Sequence, residues 1–201
     1  MSYTRHFENE EGIFVKITVF CGSRPGNHPN FKEVAYNIGT TLAQKNVELV
    51  YGGSTSGTMG AISQGVLDQG GKVTGIYPEG LFEDELPRKN TTSFITTKTM
   101  AKRKELLINK GDAYLVLPGG LGTLEEVSQL LSDMAIGLVP LKKVGILNIN
   151  GYYDHLISLL DNFVDTAFME SIYRKQLVVT DDYQKLVTAI LATIDSAEIS
   201  A

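Results

Sequence analysis

The stretch from Ala113 to Glu126 constrains the fold more than any other part of the chain. Residues 113–117, Ala-Tyr-Leu-Val-Leu, are continuously apolar and short, so they read as a buried strand. Pro118-Gly119-Gly120-Leu121-Gly122 follows, and then an apolar-periodic run over residues 123–138 that reads as a helix. Strand, glycine turn and helix in immediate succession make one βα unit. Such a unit is stable only with parallel partner strands and crossover helices around it.

The rest of the chain repeats that alternation. Strands are predicted at 13–21, 47–51, 72–77, 94–97, 144–149 and 177–180. Helices are predicted at 31–46, from the loop at 52–60 to about Gln69, at 99–110, at 153–165 and at 181–196. The fold class expected is α/β: a Rossmann-like, doubly wound parallel sheet with helices on both faces. One domain over residues 13–196 is expected, after a flexible lead at 1–12. Residues 78–90 are acidic, irregular and proline-containing, and read as a long connection or a loop over a site. In sheets of this kind ligands bind beyond the carboxyl ends of the strands. The three glycine-rich turns, after residues 21, 51 and 117, are all predicted at that edge.

Composition narrows the chemistry. With 18 basic and 23 acidic residues in 201, the formal charge is −5, which argues against nucleic-acid binding through general basicity. The single cysteine, Cys21, leaves no disulfide and no thiolate cluster. The first twelve residues are polar, and no apolar run approaches the ~20 residues of a membrane helix. A cytoplasmic, membrane-free protein is expected. His6, His28 and His155 are scattered without ligand spacing, so no metal is expected. Neither glycine loop carries a Walker lysine or the dinucleotide fingerprint, and Ser54 and Ser56 lack a hydrolase signature. No cofactor is signalled. What remains is a glycine cradle at a helix N-terminus, suited to a phosphate, with carboxylates directly after it.

Two charged residues fall where spacing makes them unusual. Leu124, Val127, Leu130, Leu131 and Met134 form the apolar stripe of the helix after the cradle. Glu125 lies nearly opposite that stripe, while Glu126 lies on its flank beside the cradle. Thr123 to Glu126 also matches a capping box, which would explain Glu126 without any ligand. In the helix at 99–110, Arg103 falls inside the stripe of Met100, Leu106 and Leu107. An inward guanidinium is costly unless an anion meets it. The alternative is an arginine whose head snorkels to the surface.

At this point the residues resemble a known family. Pro118-Gly119-Gly120-Leu121-Gly122-Thr123-Leu124-Glu125-Glu126 is similar to the PGGxGTxxE motif of the LOG family, the cytokinin riboside 5′-monophosphate phosphoribohydrolases. Met100-Ala101-Lys102-Arg103-Lys104 resembles the family's Met-His-x-Arg-Lys motif. Cys21-Gly22-Ser23, Tyr51-Gly52-Gly53 with Gly57-x-Met59-Gly60, and Asn148-x-x-Gly151-Tyr152-Tyr153 resemble its other loops. The similarity spans roughly residues 13–165. Two departures stand out: Ala101 replaces the motif's histidine, and Asp133-Met134 stands where many members have Thr-Trp, with Ser132 as the counterpart of the threonine. The second alters the pocket for the base.

The resemblance implies hydrolysis of the N-glycosidic bond of a nucleoside 5′-monophosphate such as AMP or isopentenyladenosine monophosphate, giving free base and ribose 5-phosphate. It implies a homodimer acting on a small nucleotide, with neither nucleic acid nor membrane as partner. Arg103 and Glu126 map onto the catalytic pair. Gly119, Gly120, Gly122 and Thr123 would hold the 5′-phosphate, with Lys104, Gly53, Ser54 and Gly57 completing the anion site. Glu85, Met100, Glu125, Ser132 and Ser23 map onto further substrate contacts. Relatives often carry a lysine decarboxylase label, which implies pyridoxal phosphate, and nothing in the sequence signals that cofactor. Two alternatives stand beside this reading: a non-catalytic protein binding a nucleotide or the molybdenum cofactor, and a salvage nucleosidase of broader specificity.

Overall fold

The computed structural model describes residues 15–81 and 85–198. The expected lead at 1–12 lies outside them, as do the first two residues of the predicted first strand. The sheet has seven strands in the order β4-β3-β2-β1-β5-β6-β7. These are β1 (Lys16–Phe20), β2 (Glu48–Tyr51), β3 (Val73–Pro78), β4 (Ser93–Thr97), β5 (Ala113–Val116), β6 (Val144–Leu147) and β7 (Leu177–Thr180). The α/β, parallel-sheet expectation is therefore met. The described residues divide into two compact units: one of residues 15–18 with those of 23–112, the other of residues 19–22 with those of 113–198.

In the first unit β1 pairs with β2, β2 with β3 and β3 with β4, all parallel. All six residues of β3 are buried, so both its faces are covered. Helix α1 (Asn30–Gln44) buries Ala35, Ile38, Gly39 and Leu42, the i, i+3, i+4, i+7 face that periodicity demands. It packs on α2 (Gly57–Asp68) through glycines. A Cβ at Gly39 would strike the Ile62 carbonyl, and one at Gly65 the Tyr36 carbonyl. Helix α3 (Met100–Lys110) starts at Thr99, whose Oγ1 accepts the Lys102 N–H at 3.2 Å.

In the second unit β5 pairs with β6 and β6 with β7, again parallel. Helix α4 (Leu121–Ala135) follows β5. It starts two residues earlier than predicted and ends three earlier. The end is a Schellman motif: Leu138 N–H donates to Asp133 O at 2.9 Å, Gly137 N–H to Met134 O at 3.2 Å, and Gly137 has φ +76°. Gly137 was the overlooked stop signal. Helices α5 (Asp154–Asp165), α6 (Ser171–Arg174) and α7 (Tyr183–Glu198) complete the unit. The short α6 and a 3-10 turn at Ile149–Gly151 were not anticipated. Leu186, Val187, Ile190 and Leu191 of α7 are buried, and a Cβ at Gly145 of β6 would meet Leu186 and Ile190.

Candidate active site

In the first unit the chemistry gathers at the carboxyl ends of β2 and β3. Arg103 projects from α3 and is only 6% exposed. Its Nε donates to the Ile76 carbonyl at 3.1 Å and its Nη2 to the Gly52 carbonyl at 3.2 Å. The guanidinium thus turns inward onto main-chain acceptors, and the snorkelling alternative is excluded. Its place in the α3 stripe is also confirmed, since Arg103, Leu107 and Ile108 are the buried residues of that helix. Of the predicted stripe, Met100 and Leu106 are only half-buried. Gly52 has no side chain for a physical reason. A Cβ there would strike Arg103 Nη2 and lie 2.7 Å from Met59 Sδ. Lys104 is half-buried on the same helix.

The loop after β2 is tightly tied. Gly53 has φ +78°, and its carbonyl accepts the Arg88 N–H at 2.8 Å. Ser54 is fully buried, and its Oγ accepts the Ser56 N–H at 3.0 Å. Gly57 has φ +58°, and a Cβ there would lie 2.5 Å from Ser23 O and 2.6 Å from Arg24 N. The structure therefore brings predicted site residues Ser23 and Gly57 together. Residues 85–88 lie across this loop: Thr55 N–H donates to Leu86 O at 2.9 Å, and Ser54 bridges Pro87. The Glu85 carbonyl accepts the Tyr77 hydroxyl. Burial pushes the Tyr77 phenol up, the nearby negative charge of Glu85 adds to that, and the positive charge of Arg103 opposes it.

In the second unit the cradle lies between β5 and α4. The first intrahelical bond runs from Leu124 N–H to Gly120 O at 3.0 Å, which makes Gly120 the N-cap. The N–H groups of Gly120, Leu121, Gly122 and Thr123 have no carbonyl beneath them within the helix. A Cβ at Gly120 or Gly122 would meet nothing within 4 Å, whereas one at Gly119 would strike the Thr123 hydroxyl. Thr123 is inside the helix, not at its cap. The capping-box explanation of Glu126 therefore fails, because a box needs the threonine at the N-cap. Glu126 is 8% exposed and sits on the buried face with Thr123, Val127, Leu130 and Met134. Leu124, placed in the stripe by periodicity, is 40% exposed instead. Glu125 and Ser132 are exposed.

Sequence reasoning did not include Tyr152 and Tyr153 among the site residues. Tyr153 Oη donates to Leu117 O and Tyr152 Oη to Gly119 O, each at 2.7 Å, so the pair holds two carbonyls of the cradle turn. Burial, first of all, pushes the Tyr153 phenol well above its ordinary value. The signal available was the tyrosine pair directly after Asn148-x-x-Gly151. Among the described residues no cluster of His, Cys, Asp or Glu could hold a metal ion. None of their helices is long and apolar enough to cross a membrane.

Comparison with known proteins decides the family. The model for "Possible lysine decarboxylase" matches residues 59–190. LOG2 of Arabidopsis thaliana, a cytokinin riboside 5′-monophosphate phosphoribohydrolase, is 37% identical over 90% of this chain and 84% of its own length. The chain belongs to the LOG family. A further relative, the probable cytokinin riboside 5′-monophosphate phosphoribohydrolase LOG4 of Oryza sativa subsp. japonica, is 37% identical over 87% of this chain and 75% of its own. Among solved structures, the molybdenum cofactor carrier protein of Chlamydomonas reinhardtii matches with a TM-score of 0.70 at 19% identity, over 92% of this chain and 99% of that one. The molybdenum cofactor binding protein of Rippkaea orientalis matches at 0.68 and 22%, over 90% and 98%. At those identities the likeness is one of fold.

Proposed function

We propose that this LOG-family protein is a phosphoribohydrolase. It cleaves the N-glycosidic bond of a nucleoside 5′-monophosphate, of the cytokinin riboside type or AMP, to free base and ribose 5-phosphate. The observation that carries this reading is Glu126, a carboxylate buried one turn into a helix whose cap it does not serve. A buried carboxylate on the helix that follows an open glycine cradle is placed to act on a ligand held there.

The chemistry follows from the groups. As the C1′–N bond lengthens, the ribose acquires oxocarbenium character and the departing base takes the electron pair. Glu126 stabilises the developing cation and takes a proton from the attacking water, whose oxygen bonds to C1′. Arg103, aimed by the Ile76 and Gly52 carbonyls, stabilises the negative charge developing on the base. The N–H groups of Gly120 and Gly122 and the Thr123 hydroxyl hold the 5′-phosphate over the close turn at Gly119, with Lys104 adding positive charge. Gly53, Ser54 and Gly57 shape the loop after β2, against which Ser23 packs. Glu85, Met100, Glu125 and Ser132 contribute to the ribose and base pocket. The protein acts as a cytoplasmic homodimer. The exposed leucines at the start of α4, Leu121 at 85% and Leu124 at 40%, are apolar area that a second copy would cover.

The test is product analysis. The protein is incubated with AMP, GMP, CMP and isopentenyladenosine monophosphate, with Glu126→Gln in parallel. Base release that disappears in the variant supports the reading, and the preferred monophosphate distinguishes cytokinin activation from salvage. Binding without base release from any monophosphate would make this a carrier instead.

A further inference from the structure

Tyr152 and Tyr153 present two hydroxyls to the two carbonyls that flank Pro118-Gly119, yet the two bonds are not equivalent. The peptide after Leu117 leads into proline, which has no N–H. Fixing the Leu117 carbonyl therefore anchors the chain but aims no donor. The peptide after Gly119 leads into Gly120, which has one. In a planar trans peptide the C=O and the following N–H point in opposite directions. A donor holding Gly119 O thus fixes the Gly120 N–H pointing away from the tyrosine, where it can join the N–H groups at the start of α4.

We propose that Tyr152 is a positioning residue: its hydroxyl, by holding the Gly119 carbonyl, aims the Gly120 N–H at the substrate's phosphate. The inference rests on the phosphoribohydrolase reading above. The geometry around Tyr152 is built for such a hold. Asn150 and Gly151 adopt left-handed conformations, with φ +56° and +68°, in the turn that delivers it. Asn148 Oδ1 accepts the Tyr153 N–H and its Nδ2 donates to Asp154 Oδ1, both at 2.7 Å, closing that turn. The Tyr152 ring then stands edge-on to Tyr153, with centroids 4.9 Å apart. Tyr152 is nevertheless 45% exposed, a large solvent share for a ring whose role would be core packing. Glycine carries no Cβ at either position, so the Gly119-Gly120 peptide flips more readily than one between other residues, and the hydroxyl opposes that flip.

The test uses the full chain, ¹⁵N-labelled at glycine and titrated with ribose 5-phosphate. In wild type the Gly120 and Gly122 amide resonances shift on binding. In Tyr152→Phe the Kd rises about tenfold, the worth of one hydrogen bond to a charged group. The Gly120 shift is lost while the Gly122 shift persists, and Tm stays within about 2 °C. With a monophosphate substrate, KM rises by a similar factor and kcat changes less than about threefold. Equal affinity and an intact Gly120 shift in the variant would overturn the proposal and leave the phosphoribohydrolase reading standing. A general loss of Tm with all amide shifts altered together would also overturn it, by showing Tyr152 to be structural. Failure of wild type to bind ribose 5-phosphate would overturn this inference, and failure to release base from any monophosphate would remove the phosphoribohydrolase reading with it.

Discussion

The two glycine loops, one in each unit, look alike in sequence and differ in physics. After β2, glycines are needed because other atoms occupy the space. Gly52 leaves room for the Arg103 guanidinium, Gly57 for the backbone at Ser23, and Gly60 for the Thr55 carbonyl. After β5, Gly120 and Gly122 face open space, and only Gly119 is crowded. The first loop is glycine-rich to be filled by the protein. The second is glycine-rich to be left open for something else. Counting glycines does not distinguish these uses; asking what a Cβ would touch does.

The largest effects test whether each loop serves its charged partner. Glu126→Gln and Arg103→Ala are each expected to lower base release by about 10³-fold, in the range of losing an electrostatic or acid–base group. Single-turnover assays on the preferred monophosphate would measure this. A variant within tenfold of wild type would remove that residue from the reaction.

Next comes the contrast between the glycines themselves. Gly52→Ala should cost about 1–3 kcal/mol in urea unfolding, as overpacking does, and should lower kcat by displacing Arg103. Gly57→Ala should cost at least as much, since it adds backbone strain at φ +58° to the clash. Gly122→Ala, inside α4 and facing open space, should leave stability unchanged or raise it by up to about 1 kcal/mol. It should instead weaken ribose 5-phosphate binding by crowding the cradle. Equal stability costs in both loops would erase the distinction drawn above.

The smallest effect is a pH dependence. The folded-state pKa of Tyr153 lies above its ordinary value of 10.0. Below that pH both folded and unfolded chains keep the proton and stability is flat. Above it the unfolded chain loses the proton while the folded chain retains it, so stability falls as pH rises toward the folded pKa. One proton sets a maximum slope of about 1.4 kcal/mol per pH unit. Tyr153→Phe should make the loss of urea-midpoint stability between about pH 10 and 11 shallower. An unchanged slope would show that Tyr153 is not buried as a neutral phenol.

Much of this was legible before the structure. The βα alternation, the parallel sheet and the turns at the carboxyl ends follow from periodicity and glycine placement, both of which are local. Arg103 was legible as an anomaly, a charge in an apolar stripe. Element ends were less so: α4 is capped by Gly120 and not by Thr123, and a glycine N-cap offers no side chain to read. That one shift changed the meaning of Glu126 from a capping residue to a buried carboxylate without a cap. Leu124 misled for a related reason, since a wheel assigns an apolar residue to the core whether or not anything covers it.

Sequence alone set the order of elements, the spacing of the motifs and the kinship with the LOG family. The tertiary structure decided what the charged groups do. The head of Arg103 is held by carbonyls 27 and 51 residues away, at Ile76 and Gly52, and the cradle by hydroxyls 33 and 36 residues along the chain. Every residue carries a carbonyl, so its availability leaves no mark in residue identity. Only strand register and the path of the turns determine which carbonyls point where, and those exist only once the chain has folded.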